Sequence, residues 1–310
     1  MPQVAVVVDS VCALPPQFMR DFHIHHVPIT ININGSQFPD PCDDRVALEH
    51  FESGVLTRKN QVSTEAPSVE TFQRLLWQLI DEGYQYIWIQ TVNRMQGLTY
   101  DHANEAAASV TRRMTAQRKA VIRVMDSRTV FAGQALLAAE TVRRMQTNED
   151  PVAMRRELDK LSNNVHTYVV PRSPLVALER SKTRGERGVK WSQALVANTL
   201  GIHPILCVVN DGSHQADKIR GFEKAAQAVF GHVSTLVSEG RLLAPIVTAN
   251  YSGKLEELRS LKGFAELKAA CAREGVQFIS NVASLSGGIY GSVGSLMVAA
   301  AAEPHEWQRV

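Results

Sequence analysis

Enzyme signatures are missing from this chain. It contains no GxGxxG, no GxxxxGK[ST], no GxSxG and no HExxH, so a nucleotide cradle, a nucleophile elbow and a helix-borne zinc pair have no motif behind them. The four cysteines, Cys12, Cys42, Cys207 and Cys271, are far apart and form no CxxC pair. That excludes a disulfide framework and leaves buried free thiols as the expectation. No apolar run is long enough to span a bilayer. The amino terminus, MPQVAVVVDS, enters a strand-like run at once and carries neither a basic n-region nor a cleavage site. No signal peptide is therefore expected, and the cytoplasm is the expected location. There is no low-complexity tract and no long Pro/Gly/Ser linker. Neither charge sign dominates: the formal net charge is +2, and the basic residues are scattered and not striped with aromatics, which argues against a nucleic-acid partner.

What remains is an ordinary globular composition over 310 residues, enough for two domains and a large core. In the first half strands and helices alternate. Val4–Val8 is a continuous apolar run suited to a buried parallel strand. A short helix is expected near Pro15, a β-rich segment over His26–Asn34, and helices over Arg45–Leu56, Ser68–Glu82, Tyr100–Met114 and Phe131–Met145. Tyr86–Val92 and Ala120–Met125 read as strands. This order implies βαβ units with a mainly parallel sheet. The acidic loop Asn148-Glu149-Asp150-Pro151 marks an expected boundary, giving domains 1–150 and 151–310. The second half has another rhythm. The helix Pro151–Leu161 leads to a strand over Thr167–Val170, and Leu175–Arg184 and Trp191–Leu200 are expected to be helical. A hairpin with an Asp211-Gly212 turn spans Ile202 to Arg220, and a long helix covers Phe222–Val237. Leu243–Ala249 and Val276–Ser280 are strand candidates. The expectation there is an α+β domain whose mixed or antiparallel sheet is flanked by helices.

The stretch Gln61-Val62-Ser63-Thr64-Glu65-Ala66-Pro67-Ser68 compresses two hydroxyls, a turn and a helix start. Ser68 is the natural N-cap of the following helix, so Ser63 and Thr64 sit just outside a helix end, where free N–H groups favour a small anion. A capped loop without a ligand is the plain alternative. In open α/β sheets ligands bind beyond the carboxyl ends of the strands. Asp9-Ser10, Gln96–Thr99 and Asp126-Ser127 all follow predicted strands, and Ser63-Thr64 reaches the same edge. Asp9 and Asp126 are acid–base candidates, or else groups that fix loops through backbone N–H bonds. Ser286-Gly287-Gly288-Ile289-Tyr290-Gly291-Ser292-Val293-Gly294 reads as a turn between strands, with close approach to a ligand as the alternative. His23, His25 and His26 lack further ligands at suitable spacing, so no metal site is expected. Arg180, Lys182, Arg184, Arg187 and Lys190 form a basic patch, either for an anionic head group or as a solvated helix end.

In order along the chain these motifs resemble the DegV family. Val7-Val8-Asp9-Ser10 with Leu14-Pro15 is similar to its opening T-D-S…L-P, and Thr64-Glu65-Ala66-Pro67-Ser68 to its T-S-Q-P-S. Asn93 to Ala103 falls on its S-S-x-L-S-G-T-Y-x-x-A. Asp126-Ser127 with Gly133 matches its D-S…G. Gly201–Leu206 resembles I-K-P-I-L, and Asp211-Gly212 with Arg220-Gly221 follows. The resemblance implies an N-terminal α/β/α domain, a C-terminal domain with a largely antiparallel sheet, and a long-chain fatty acid buried between them. It further implies a carrier that does no chemistry itself and presents the acid to a separate fatty-acid kinase, with no other cofactor. Thr64 stands where the family's threonine holds the carboxylate. The serine of S-G-T falls on Gly97, so that hydroxyl is missing and Gln96 or Thr99 takes its place. Tyr290 falls on the family's late histidine, and the G-G-R segment is loosely kept as Gly185-Glu186-Arg187. The site expected from this reading comprises Thr64, Ser63, Gly97, Gln96, Thr99, Asp9, Ser10, Arg187 and Tyr290. Two rivals stay open: a small-molecule enzyme acting on a phosphate or carboxylate at the same strand edge, and an interaction module using the Arg180–Lys190 patch.

Overall fold

A computed structural model describes residues 3–147, 150–183 and 201–309. The architecture is α/β, with a parallel sheet in the N-terminal half and a mixed, mainly antiparallel sheet in the C-terminal half. The first half begins with β1 (Val4–Asp9), α1 (Pro16–Asp21) and β2 (Ile24–Val27). It continues through β3 (Thr30–Ile33), β4 (Ser36–Pro39), α2 (Asp44–Glu52), β5 (Val62–Glu65) and α3 (Val69–Asp81). Then come β6 (Tyr86–Thr91), a 3-10 turn (Arg94–Gln96), α4 (Thr99–Arg113), β7 (Val121–Asp126) and α5 (Ala132–Gln146).

The parallel sheet has the order β2-β1-β6-β7. β1 and β6 are almost entirely buried, which is why Val4–Val8 reads as an unbroken apolar run and Tyr86–Ile89 shows no polar alternation. One face packs on α3 and α4, where Phe72, Leu76, Leu79, Ala103, Ala106 and Val110 meet Ala5, Val7, Ile87 and Ile89. The alanines let α4 lie close to the strands.

The second half runs α6 (Pro151–Ser162), β8 (Val165–Val170), α7 (Pro174–Thr183), β9 (Ile202–Val209), β10 (Gly212–Arg220) and α8 (Phe222–Ser238). It closes with β11 (Leu242–Tyr251), α9 (Leu255–Ser260), α10 (Phe264–Arg273), β12 (Gln277–Val282), α11 (Leu285–Gly291) and β13 (Leu296–Ala302). Its sheet has the order β10-β9-β8-β13-β11-β12. Neighbours are antiparallel except β11 and β12. α8 and α10 cover the outer face. Between the two sheets lies α5, which packs on β11, β13 and β8 on one side and on β1 and β6 on the other. Every residue from Ala132 to Val142 is buried, so this helix is apolar nearly all round, and a one-sided pattern would not fit its position. Most of its polar atoms are paired. Thr141 donates to the Leu137 carbonyl and accepts from Gln90, and Glu140 accepts from both Arg143 and Arg144.

Two elements differ from the sequence reading. Ser63 and Thr64 are not on a loop: β5 joins β3 and β4 in a small antiparallel sheet of order β4-β3-β5, with Ile31 opposite Thr64 and Asn32 opposite Ser63. Pairing partners supplied from thirty residues upstream are invisible to a local pattern. The glycine-rich stretch is likewise not a turn between strands, since Leu285–Gly291 is the helix α11. Ser284 caps it by accepting the Gly287 N–H. The poor helix propensity of its glycines is outweighed by close packing: a Cβ on Gly288 would stand 2.2 Å from Phe51 Cε1. The helix expected over Trp191–Leu200 lies outside the described residues. Elsewhere the predicted elements and the observed ones agree to within a few residues.

Candidate functional site

A cavity of about 380 Å³ opens where the carboxyl ends of the parallel strands meet β5, α11 and β9. Its volume lies within the range of small-molecule sites. Val11 follows β1, Val92 follows β6, and Val130 and Phe131 follow β7; with Ile29 and Val208 they form an apolar wall. The polar wall holds Thr64, Gln96, Thr99, His102, Ser286 and Tyr290.

Buried polar groups behind the wall set the loop positions. Asp9 accepts the Val11 N–H at 3.1 Å and the Val92 N–H at 2.6 Å, so one carboxylate ties together the loops after β1 and β6. Ser10 Oγ accepts the Ile29 N–H at 3.0 Å. Asp126 does the same service at the end of β7, accepting the Arg94 N–H at 3.2 Å and the Arg128 N–H at 2.9 Å. Burial pushes its carboxyl up to about 6. Phe131 begins the α5 side of the cavity with φ 49° and ψ −118°, a strained backbone for a bulky residue.

The centre of the polar wall is a hydroxyl pair. Thr64 Oγ1 and Tyr290 OH are 3.0 Å apart. β5 alternates, so Ser63 faces solvent while Thr64 is half-buried. α11 is buried throughout and brings Tyr290 and Ser286 to the same space. Arg180, only 8% exposed, donates to the Val62 carbonyl at 2.9 Å and the Thr57 carbonyl at 3.0 Å. It clamps the start of β5 to α7 and lies near enough to Tyr290 for an electrostatic interaction. Burial lowers its pKa.

Of the residues singled out in the sequence, Thr64, Gln96, Gly97, Thr99 and Tyr290 line the cavity. Asp9 and Ser10 stand behind it as loop anchors, and Ser63 points away. Arg187 lies outside the described residues, as do Arg184 and Lys190 of the basic patch, and Arg180 of that patch is a buried clamp and not a solvated helix end. Gly97 has φ 152° and ψ −157°, a region open essentially to glycine alone. The lost serine hydroxyl thus goes with a backbone that a serine would not adopt. Sequence reasoning missed His102, Ser286 and Phe131. His102 was within reach, because it lies three residues after Thr99 on α4 and therefore shares its face. Ser286 was hidden by the turn reading of its segment. Among the described residues no group of three or more His, Cys, Asp or Glu side chains is placed to hold a metal ion, and no helix is long and apolar enough to cross a membrane.

The fold and cavity define an α/β protein of two large sheets and one small one, with an apolar-walled site at the junction of its halves. The family model for "Uncharacterised protein, DegV family" matches residues 3–300, and the chain belongs to the DegV family. A DegV domain-containing protein of Xanthomonas campestris pv. campestris is 30% identical over 312 residues, covering 98% of this chain and 99% of the relative. Two solved structures share the fold. A DegV lipid-binding protein from Thermotoga maritima has a TM-score of 0.78 at 18% identity, over 98% of this chain and 100% of its own. A fatty-acid (stearic acid)-binding protein from Eubacterium ventriosum has a TM-score of 0.77 at 19% identity, over 96% and 97%.

Proposed function

We propose that this protein binds a long-chain fatty acid in the cavity between its halves, as a carrier and not as a catalyst. The observation that carries the reading is the Thr64–Tyr290 hydroxyl pair set at the polar wall of an otherwise apolar space. A carboxylate accepts hydrogen bonds from such donors, and an acyl chain gains by leaving water for the valine, isoleucine and phenylalanine wall. Tyr290 takes the place of the family's imidazole, and Gln96 and Thr99 flank the gap at Gly97. Arg187 completes the head-group set in this reading. The names of the Thermotoga maritima and Eubacterium ventriosum proteins point the same way. Among the described residues the Thr64 hydroxyl pairs with Tyr290 and the Ser286 hydroxyl with Ser284, an arrangement that suits binding better than nucleophilic attack. The reading carries three further elements: a domain division at residue 150, a cytoplasmic location, and delivery of the acid to a fatty-acid kinase-like partner.

The test is to purify the protein, record its native mass, denature it and identify what is released. A stoichiometric fatty acid is the expected result. An empty protein that also fails to take up added stearate would overturn the reading.

A further inference from the structure

Within the fatty-acid reading above, a carboxylate entering the cavity meets few charges among the described residues. No lysine or arginine among the described residues lines it, and of the described lining residues only His102 can carry a positive charge. Its ring is already oriented. His102 Nδ1 lies 2.8 Å from the Pro67 carbonyl, and a carbonyl only accepts, so Nδ1 bears the proton in both charge states. Nε2 is then a bare lone pair in the neutral ring and a donor in the imidazolium. Pro67 itself sits three residues after Thr64, which places the anchored ring beside the stretch that supplies the Thr64 hydroxyl.

We infer that His102 is a further head-group residue, which takes a proton on Nε2 as an acyl carboxylate binds and donates that N–H to a carboxylate oxygen. The proton comes from solvent. The neutral ring and the anion become an imidazolium–carboxylate pair, so the charge of the bound carboxylate is offset in a largely apolar site, where a lone carboxylate is costly. The acidic groups on neighbouring elements are consistent with positive charge on the ring. Glu70 on α3 interacts with it electrostatically. Glu65 on β5 shares the cavity wall, its carboxylate accepting from Gln37. The Tyr290 hydroxyl stands on α11.

The experiment is a calorimetric titration of the delipidated full-length protein with stearate and with 1-octadecanol, in buffers of differing ionisation enthalpy, for wild type and His102→Gln. Wild type is expected to take up a proton with stearate and none with octadecanol. H102Q is expected to bind stearate about tenfold more weakly, without proton uptake, and octadecanol unchanged. His102→Asn, which keeps a polar group of smaller reach, is expected to behave as H102Q. Wild-type stearate binding without proton uptake, or equal stearate affinity in H102Q, overturns the assignment and leaves the fatty-acid reading intact. Wild type that binds neither compound overturns both.

Discussion

Thr64 and Tyr290 are 226 residues apart in the chain, yet their hydroxyls are 3.0 Å apart at the polar wall of the cavity. One comes from the third strand of the small sheet and the other from a glycine-rich helix. Each can serve as donor or acceptor, so in the fatty-acid reading both protons can turn toward an arriving anion. A carboxylate bound there would accept two charge-assisted bonds.

Removing either hydroxyl should weaken acyl binding and removing both should cost less than the sum. Thr64→Val and Tyr290→Phe are each expected to lose about 1.5–3 kcal/mol of stearate affinity, and the double variant should show a coupling of at least ~0.5 kcal/mol. A four-member titration cycle measures this. Strict additivity would mean the two hydroxyls act on the ligand independently.

Restoring the family's serine should not repair the site. Gly97 holds a backbone region closed to residues with a Cβ. Gly97→Ser is expected to lower stability by about 1–3 kcal/mol and to leave stearate affinity equal to or below wild type. Chemical denaturation and titration check the two halves of this statement, and a tighter-binding G97S protein would contradict it.

The position of Tyr290 depends on Gly288. A Cβ there would meet Phe51 of α2 at 2.2 Å, and the struck atoms belong to a buried ring with little room to turn. Gly288→Ala should cost roughly 1–3 kcal/mol by overpacking and should weaken acyl binding through displacement of α11. Gly288→Ala combined with Phe51→Leu should recover part of both.

Acid should destabilise the protein through buried histidines, two of them in the second half. Burial lowers His166 and His232 to about 4. The neutral rings are held in place: Tyr168 OH lies 2.9 Å from His232 Nε2, and the Gln308 N–H donates to His232 Nδ1 at 3.2 Å. The folded protein keeps these rings neutral while the unfolded chain protonates them near 6.5, so stability is lost as pH falls from about 6.5 to about 4, by up to ~1.4 kcal/mol per pH unit for each group. Asp40 and Asp126 act in the opposite sense. Burial raises both to about 6, so they bind protons more tightly when folded and recover stability as pH falls from about 6 toward 4. His232→Gln should be less stable at pH 7.5, through the lost bonds, yet show a flatter loss of stability between pH 6.5 and 4. Denaturation midpoints across that range read the slope directly.

Much of the architecture was legible because it is written in short-range patterns. The unbroken apolar run Val4–Val8 and the aromatic and β-branched run Tyr86–Val92 mark parallel strands buried on both faces, and Ser68 and Asp211 mark a helix start and a hairpin tip. Strand–helix alternation then places Asp9, Gln96 and Asp126 on one edge by topology alone, and the ordered motifs indicate the family. Which of those edge residues face the cavity was a matter of packing. Asp9 and Ser10 are spent on Val11, Val92 and Ile29, as backbone N–H groups without water must find an acceptor. Ser63 and Thr64 are adjacent in sequence but face opposite ways, because β3 pairs with them and imposes a strand's alternation. Tyr290 meets Thr64 only because the glycines of α11 allow it to lie against Phe51. Such contacts join segments far apart in the chain, and no local pattern encodes a distance that only the assembled core sets.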